Sequence, residues 1–493
     1  MVSDRAPALG VHRFWARLRP VVVPVVLFLA IALPHIDQGA FRTDTGRYGA
    51  IGLEAVTRLL AGDLGSFFTL HAPPGEVYFN KPPLGIWIHG FVLKLLGPEV
   101  WAARLPTLFA AAVCVGLTVS IARRLTSAQL GLVAGLLLAM TYEFFRRVRE
   151  ISLDMWQLLF VLAAMWFVVR AVRSGKASWA VACGVPIGLA LMTKPLVGLV
   201  ALPILAGWAA WRGGMRIGAA TLGGVVPALV VGLPWHLAMH VIHGDLFLDL
   251  YFGREIASRA AGEMETDPWW YYAPVLASSA PFLLGLVFSC VQWKRGRLRR
   301  EAVDLVSLGL FWSGVWLLLI SLFSDKSPRY ALLVHPGVAL AAAPGVVWAV
   351  HGLSRSLARR AGVLAAPVAA VAGLVFALAP VRVQPGPHER WTGLFAWLRD
   401  NNVEQAWVGG DDVVGMGYPK AARVYLELGW WPKMPEGRAF ESGDVQLYHT
   451  PRARQWMRPE EQIVYEAGEL FITVWAPDQN RSEPSSDGVI SGG

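Results

Sequence analysis

The stretch MWQLLFVLAAMWFVVRAV, residues 155–172, decides the class of fold. A single charged residue, Arg170, interrupts its run of mostly apolar side chains. A helix needs about 20 predominantly apolar residues to cross about 30 Å of hydrocarbon. The stretch is close to that length, and it therefore predicts a helix that crosses a membrane.

Apolar runs of this kind recur along most of the chain. Of its 493 residues, 55% are hydrophobic and 16% are charged, whereas a typical soluble domain has about 25% charged residues. The predicted fold is an all-α polytopic membrane bundle with about 11 to 13 transmembrane helices and additional interfacial helices. The runs and their breaks predict spans near residues 20–36, 104–122, 127–143, 155–172, 178–193, 196–211, 217–233, 272–292, 303–323, 330–350 and 361–380.

Basic residues cluster in the short loops between alternate spans. With the N-terminus in the cytoplasm, all of these loops face the cytoplasm, as the positive-inside rule expects. The net charge of +9 comes in such short clusters and does not indicate binding to nucleic acid. The other loops carry small groups of mixed acids and bases, and the same topology places them outside. The basic clusters are Arg123 and Arg124; Arg170, Arg173 and Lys176; Arg212 and Arg216; Lys294, Arg295, Arg297, Arg299 and Arg300; and Arg355, Arg359 and Arg360.

The first outer loop, at about residues 37–100, is less apolar than a span. Residues 51–62 and 82–96 form two amphipathic pieces, which we expect to lie along the membrane interface. The alternative is that residues 82–96 cross the membrane, which would reverse the sidedness of several later loops. The basic clusters would then lie outside.

The composition changes after Pro380 to that of a soluble protein. Residues 391–400 and 421–428 predict helices, and residues 406–409 predict a short strand. These elements predict a small α/β domain at residues 381–480 on the outer side of the membrane. The Ser-rich and Gly-rich tail at residues 481–493 is expected to be disordered, and residues 1–380 form the transmembrane domain.

Two motifs in the first outer loop carry charges that suit a reaction on an anionic substrate. The Asp44 carboxylate can take a proton from a hydroxyl, and Arg47 can pair with an anion. Lys81 precedes two prolines that begin a helix, where free N–H groups and the lysine charge suit a phosphate. The alternatives are a helix N-cap for Asp44 and an ordinary interfacial lysine for Lys81.

Arg149 and Asp154 lie next to the start of the span at residues 155–172. Together with Arg146 and Arg147, Arg149 places three arginines on the side opposite to the basic loops. Such exceptions indicate an anionic partner. The alternative is that these arginines anchor the helix ends to lipid headgroups.

Lys194 interrupts an otherwise apolar stretch, where a lysine is costly unless it reaches an interface or an anion. Lys326, Arg329 and Tyr330 place two cations and a tyrosine at another outer boundary. Together these residues predict a pocket for an anionic headgroup.

Histidine and cysteine residues offer weaker signals. His236 and His240 have the spacing that puts two imidazoles on one face of a helix, which leaves a divalent metal ion open. Leu237 follows His236, so the HExxH glutamate is missing. The three cysteines lie in or beside apolar segments without paired spacing, and we interpret them as packing residues.

The order and spacing of six motifs match a known group across residues 20–350. They are Asp44-x-x-Arg47-Tyr48, Lys81-Pro82-Pro83-Leu84, Arg104-Leu105-Pro106, Arg149 with Asp154, Thr193-Lys194, and Lys326-x-x-Arg329-Tyr330 followed by Pro336. In this combination the chain resembles the bacterial GT-C glycosyltransferases related to the lipid A aminoarabinose transferase and the protein O-mannosyltransferases. The combination is specific, whereas no single motif is.

The resemblance implies a GT-C type bundle in the bacterial cytoplasmic membrane, with a site that faces the periplasm and a polyprenyl-phosphate sugar as donor. It implies that Asp44 and Asp154 are the catalytic acids and that Tyr48 and Tyr330 bind substrate. The donor phosphate would be bound by Arg47, Lys81, Arg149, Lys194, Lys326 and Arg329.

Two positions depart from the group's pattern. Thr45 follows Asp44 where Glu is common, and Asn80 precedes Lys81 where relatives often have Glu. If that Glu holds a metal in relatives, this chain lacks the metal or binds it differently. No cofactor follows from the motifs, and the acceptor stays open.

The predicted function is that of an inverting hexosyl or pentosyl transferase of the cell envelope, such as one that modifies lipopolysaccharide. The acceptor is a lipid, a glycan or a protein. One rival is a transporter or flippase of a lipid-linked anion, which would carry its charges toward the middle of the bilayer and have helices broken in matching halves. The other rival is a non-catalytic membrane scaffold.

Overall fold

The structure, a computed structural model, forms two compact units. The first unit comprises residues 1–36, 79–86 and 104–379, and the second comprises residues 37–78, 87–103 and 380–493. The described residues are 8–37, 43–72, 76–194, 197–257, 267–277, 280–323, 326–357, 394, 396–403, 405–408, 445–448, 461–467, 470–475 and 490–491.

Helices dominate the described part of the chain. Three shorter helical segments are a 3-10 turn at Leu33–His35, a π-helical segment at Asp249–Ala257 and a 3-10 turn at Pro328–Leu333. The α-helices are α1 (Ala8–Ala32), α2 (Thr43–Leu60), α3 (Leu64–Phe68), α4 (Leu84–Leu96), α5 (Val100–Leu125), α6 (Ala128–Ala139), α7 (Tyr142–Arg147), α8 (Leu153–Ser174), α9 (Ala177–Ala182), α10 (Gly184–Leu191), α11 (Val197–Gly213), α12 (Met215–Leu222), α13 (Val225–His243), α14 (Asp245–Leu248), α15 (Tyr272–Ala277), α16 (Ala280–Lys294), α17 (Arg300–Leu322) and α18 (His335–Leu357).

The predicted class of fold is confirmed at the level of a helical, multi-pass membrane protein. In the described residues, four helical stretches are long and apolar enough to cross a membrane: Val100–Leu125, Leu153–Ser174, Met215–His243 and Arg300–Leu322. Shorter apolar helices occupy Pro20–Ala32, Leu84–Leu96, Ala128–Ala139, Ala177–Leu191, Val197–Gly213 and Phe282–Lys294. The predicted span at residues 361–380 lies outside the described residues, and the number of spans stays a prediction.

Helix α8 shows how the local sequence sets the bounds of a span. The Ser152 side chain accepts a hydrogen bond from the Met155 N–H at its start. At its end, Gly175 adopts a left-handed conformation with a φ of 70°, which costs glycine little because it has no Cβ. The helix between these caps places Asp154 in its first turn.

Prolines divide two of the predicted spans. The predicted span at residues 178–193 is two helices, α9 and α10, and the one at residues 217–233 falls on α12 and α13. Proline cannot donate to the carbonyl four residues earlier. For Pro186 the carbonyl is that of Ala182, and for Pro227 it is that of Gly223. Ala182 and Gly223 lie at the two breaks.

The part of the first outer loop in the second unit is compact. Ser66 donates its backbone N–H to the Asp63 Oδ1 atom at 2.9 Å, which caps α3, and hydrogen bonds from Ser66 lower the pKa of the Asp63 carboxyl. The Trp87 indole stacks on Phe67 at 4.5 Å between ring centroids and donates to the Phe67 carbonyl. The predicted amphipathic pieces coincide with α2 and α4, and their place at the membrane interface stays a prediction.

The described C-terminal residues include five strands. They are β3 (Trp407–Val408), β4 (Val445–Tyr448), β5 (Glu461–Ala467), β6 (Leu470–Trp475) and β7 (Ile490–Ser491), after a short hairpin of β1 (His71–Ala72) and β2 (Glu76–Val77) in the first outer loop. The sheet order is β3-β4-β6-β5-β7. Residues 396–400 are helical, as predicted, whereas the predicted helix at 421–428 lies outside the described residues. The pairing of β7 with β5 places a strand in the tail that was expected to be disordered.

Candidate functional site

An ion pair between Asp154 and Lys194 lies at the centre of the candidate site in the first unit. The Lys194 Nζ atom donates to the Asp154 Oδ1 atom at 2.5 Å, and each side chain is 12% exposed. Asp154 is in the first turn of α8, and Lys194 follows the end of α10, where its N–H donates to the Ala190 carbonyl. Two residues that the sequence singled out separately are therefore joined by a charge-assisted hydrogen bond.

Arg329 and Tyr330 extend this centre from the 3-10 turn at Pro328–Leu333. The Lys194 Nζ atom lies 5.1 Å from the centroid of the Tyr330 ring, and the Arg329 Cζ atom lies 5.8 Å from the same centroid. The positive charge of Arg329 also acts on the Asp154 carboxylate. The structure thus brings together four of the predicted site residues.

The segment that contains Lys81 packs directly beside this pair. The Leu84 N–H donates to the Met192 carbonyl at 2.9 Å. A Cβ atom placed on Gly85 would lie 2.5 Å from the Leu153 Cδ2 atom and 3.4 Å from the Thr193 Cγ2 atom. Leu153 and Thr193 immediately precede Asp154 and Lys194, so this close packing places the start of α4 against the neighbours of both charged residues.

Lys81 itself is held by local contacts. Its side chain is buried, and its Nζ atom donates to the Asn80 carbonyl at 3.0 Å. On the N-terminal side, the fully buried Phe79 packs its ring 5.0 Å from His243 and 5.2 Å from Phe247, measured between centroids. Phe79 and Gly85 therefore fix both ends of the segment that carries Lys81.

Lys326 is bound by a residue that the sequence did not single out. Its Nζ atom donates to the Asp267 carbonyl at 3.0 Å, and its N–H donates to the Asp267 Oδ2 atom at 3.1 Å. The next N–H, of Ser327, donates to the Tyr272 hydroxyl at 3.4 Å. An acid before the run of aromatic residues at 269–272 was the available signal for Asp267.

The charged residues between α7 and α8 form a network that corrects one expectation. Glu143 is buried, and its carboxylate binds both Arg146, at 3.0 Å, and Arg147, at 2.6 Å. Glu150 binds Arg147 from the other side at 2.7 Å. Arg146 and Arg147 are thus neutralised by two acids within the protein, and the expectation of three arginines available to an anion is wrong for these two.

Arg147 nevertheless contributes to the centre, because its charge also acts on Asp154. Arg149, the third arginine, lies in the turn after α7 and donates its N–H to the Arg146 carbonyl at 3.3 Å. Its role as a ligand of the donor phosphate stays a prediction.

Asp44, Arg47 and Tyr48 lie in the first turns of α2, in the second unit. Tyr48 is buried, and the Arg47 Cζ atom lies 6.0 Å from the centroid of the Tyr78 ring. The side chain of Asp44 lies outside the described residues. The sequence did not single out Tyr78, although it precedes the Lys81 motif by only three positions.

The histidine pair does not form a metal site among the described residues. The His236 Nδ1 atom bonds to the Gly232 carbonyl and its Nε2 atom bonds to the Tyr251 hydroxyl, both at 2.7 Å. A carbonyl only accepts, so Nδ1 is the donor and Nε2 accepts from the tyrosine. Across the described part of the chain, no three His, Cys, Asp or Glu side chains gather as metal ligands.

The centre as a whole suits a negatively charged group. One carboxylate, Asp154, is accompanied by two cations, Lys194 and Arg329, so cationic groups are in excess. A second anion can therefore be accommodated without leaving a buried charge unpaired. Arginine and lysine donors of this kind bind phosphate through charge-assisted hydrogen bonds.

Comparison with known proteins finds enzymes that are similar to this chain in sequence. Residues 80–237 match the family model described as dolichyl-phosphate-mannose-protein mannosyltransferase. The chain is 31% identical over 373 residues to undecaprenyl phosphate-alpha-4-amino-4-deoxy-L-arabinose arabinosyl transferase 1 of Pseudomonas fluorescens strain Pf0-1, a match that covers 73% of this chain and 62% of the relative. The corresponding transferase of Pseudomonas aeruginosa strain LESB58 is 30% identical over 61% of this chain and 54% of its own length.

Solved structures share the fold over nearly the whole chain. The crystal structure of ArnT from Cupriavidus metallidurans bound to undecaprenyl phosphate has a TM-score of 0.68 and 19% identity, and the match covers 92% of this chain and 98% of that one. Its apo state gives the same TM-score at 18% identity. The predicted relation to the GT-C glycosyltransferases is confirmed, although the matched region spans less than two thirds of the length of the sequence relatives.

Proposed function

We propose that this chain, which is related to the undecaprenyl-phosphate aminoarabinosyl transferases and shares the fold of ArnT, transfers a sugar from a polyprenyl-phosphate donor to an acceptor. The reaction takes place at the periplasmic surface of the bacterial cytoplasmic membrane. The donor is a lipid-linked sugar of the undecaprenyl type, and the acceptor is a lipid, a glycan or a protein.

The observation that carries this proposal is the Asp154–Lys194 pair with the cations around it. The donor is a sugar phosphate ester, which brings one negative charge to the centre. When the bond to the sugar breaks, the phosphate leaves with an additional negative charge. We assign the stabilisation of that charge to Lys194 and Arg329, which both lie near the Tyr330 ring. We include Lys81 in this proposal because Gly85, four positions after it, packs against Leu153 and Thr193.

The proposed chemistry is a single displacement with inversion at the anomeric carbon. The acceptor hydroxyl or amine forms a bond to that carbon, and the bond between the carbon and the phosphate oxygen breaks. The electron pair of the broken bond stays on the polyprenyl phosphate. The proton of the acceptor passes to a carboxylate, for which the motif assigns Asp44.

We assign roles to the remaining residues by their charge: cations bind the phosphate, and the second acid orients a lysine. Arg47, Lys81 and Arg149 bind the donor phosphate, as do Lys194, Lys326 and Arg329. Asp154 is the second acid; through its ion pair with Lys194 it orients the lysine. The side chains of Tyr48 and Tyr330 bind substrate, and Tyr330 presents its ring to both Lys194 and Arg329.

Purified protein in lipid, incubated with a panel of undecaprenyl-phosphate sugars, tests this function. Wild-type protein is expected to release undecaprenyl phosphate, and Asp44→Asn is expected to abolish the release while the protein stays folded. Asp37→Asn is the matched control, because Asp37 is an exposed acid shortly before the motif. It should retain wild-type turnover.

Each outcome decides a different question. Release that depends on Asp44 establishes transfer or hydrolysis of a lipid-linked sugar and leaves only the acceptor to be found. Release that persists in Asp44→Asn removes Asp44 as the base. If folded wild-type protein supplied with acceptor extract releases nothing from the whole panel, the transferase proposal fails and a transporter of the lipid-linked anion becomes the better hypothesis.

A further inference from the structure

A second cationic cluster lies at the opposite end of α8 from the candidate site. Arg170 follows Asp154 by 16 positions on this helix, which corresponds to about 24 Å at 1.5 Å per residue. Arg124 is in the last turn of α5. These arginines belong to the basic loops that the positive-inside rule singled out, and the proposed reaction does not use them.

Aromatic rings hold both guanidinium groups in place. The Arg170 Cζ atom lies 3.6 Å from the centroid of the Trp179 ring and 5.3 Å from that of Trp166. The Arg124 Cζ atom lies 4.5 Å from the Trp166 centroid. Trp166 is itself fixed, because its indole N–H donates to the Ser120 Oγ atom at 2.9 Å. We call Arg124, Arg170, Trp166 and Trp179 the arginine–tryptophan cage.

The cage holds two like charges, and no acid in the described part of the chain pairs with them. The charges of Arg170 and Arg123 act on Arg124. Among the residues that the structure describes, neither Arg124 nor Arg170 forms a hydrogen bond or ion pair through its guanidinium group. Stacking occupies the faces of a guanidinium, whereas its five N–H donors lie in its plane. These donors therefore remain for an anion.

Arg212 offers a comparison, because its charge is paired with an acid of the same chain. Its guanidinium lies 5.4 Å from the centroid of the Trp211 ring and also forms an ion pair with Asp304. Arg124 and Arg170 have the aromatic contact without the carboxylate. The protein thus supplies a negative charge to Arg212, whereas no carboxylate among the described residues pairs with Arg124 or Arg170.

We propose that the arginine–tryptophan cage binds the phosphate of an anionic phospholipid headgroup at the membrane boundary opposite to Asp154. Tryptophan rings favour this depth of the bilayer, where an anionic headgroup is close and each basic residue gains from it. The planar N–H donors of the two fixed arginines match the oxygen atoms of a phosphate diester.

Full-length protein in nanodiscs tests the proposal without any measurement of transfer. Nanodiscs of phosphatidylcholine with a minor share of phosphatidylglycerol are prepared, and the phosphatidylglycerol that stays bound after detergent extraction is counted by native mass spectrometry. Arg124→Gln/Arg170→Gln should bind phosphatidylglycerol at least about ten-fold more weakly than wild type. Arg170→Lys in the wild-type background should give an intermediate value, because lysine keeps the charge but loses the planar donors.

The matched control is Arg216→Gln/Arg295→Gln, which removes the same charge from two exposed arginines in other basic loops. It should retain phosphatidylglycerol as wild type does. Equal losses in both double variants would show a diffuse charge effect and overturn the cage, as would retention by the cage variant. Displacement of the lipid by millimolar inorganic phosphate would identify a free-phosphate site instead. Thermal unfolding of each variant confirms that the compared proteins are folded.

Discussion

Lys194 donates to Asp154 at 2.5 Å although the two residues are 40 positions apart in the chain. The contact joins the start of α8 to the turn after α10. Each partner alone would place an unpaired charge in an environment that is largely buried. The pair therefore has two effects: it holds α8 against the turn after α10, and it neutralises two charges in the candidate site.

Neutralising Asp154 should lower both turnover and stability. Asp154→Asn removes the charge that orients Lys194, so we expect turnover of the lipid-linked sugar to fall at least about 100-fold. The measurement is release of undecaprenyl phosphate by purified protein. The exchange variant Asp154→Lys/Lys194→Asp restores an ion pair and should recover part of the lost stability without recovering turnover. Recovery of turnover by the exchange would contradict a directional role for the pair.

Enlarging Gly85 should disturb the site through its neighbours. The side chain in Gly85→Val meets Leu153 and Thr193, and we expect a loss of about 1–3 kcal/mol in stability together with at least about ten-fold lower turnover. Gly314→Val is the control, because a Cβ atom on Gly314 meets no atom within 4 Å. Thermal unfolding and carrier release are measured on both. Equal turnover in the two variants would refute the positioning of the Lys81 segment by Gly85.

Removing the charge of Glu143 should destabilise the protein. Glu143→Gln leaves two arginines with a weaker partner beside the start of α8, and the loss expected for breaking a buried ion pair is about 3–5 kcal/mol. Glu54→Gln breaks the exposed pair with Arg58, which should cost less than about 1 kcal/mol. Denaturation of the two variants under the same conditions makes the comparison. A cost for Glu143→Gln no larger than that for Glu54→Gln would show that the network contributes little.

Truncation of Phe79 should weaken the hold on Lys81. Phe79→Ala removes a fully buried ring from His243 and Phe247, at a cost of about 3–5 kcal/mol. Since Lys81 is proposed to bind the donor, we expect KM for the lipid-linked sugar to rise more than kcat falls. Phe109→Ala, which shortens an exposed phenylalanine on α5, should leave both constants near their wild-type values. An unchanged KM in folded Phe79→Ala would contradict the role of this anchor.

The sequence predicted the residues that make up the centre but not the contacts between them. The sequence singles out Asp154, Lys194 and Arg329 because a charge beside an apolar span needs a reason, and Tyr330 because it follows Arg329. Which of them are in contact depends on how α8, α10 and the 3-10 turn pack, and hydrophobic periodicity does not predict that packing. The metal that the histidine spacing left open illustrates the same limit, because His236 turns its Nε2 atom to Tyr251.

Sequence reasoning missed the residues that act by forming ion pairs or hydrogen bonds with the charged residues of the site. Glu143 and Asp267 look like ordinary acids near helix ends, and their importance depends on burial and on partners that only the fold supplies. The helix breaks near Pro186 and Pro227 could have been predicted, since proline cannot donate to the carbonyl four residues earlier. They were missed because the apolar runs continue through both breaks.

The amino-acid sequence was enough to identify a helical membrane protein whose motifs resemble those of the GT-C glycosyltransferases. The membrane class follows from composition, because about 20 apolar residues and their flanking charges already define a span in a bilayer. The relation to the GT-C glycosyltransferases rests on the resemblance of the motifs. Only the tertiary structure decided that Lys194 pairs with Asp154, that two of three arginines are neutralised by acids, and that Arg124 and Arg170 lack such a partner among the described residues. These outcomes depend on distances between side chains on different helices, and Coulomb energies and hydrogen bonds are set by those distances and by burial.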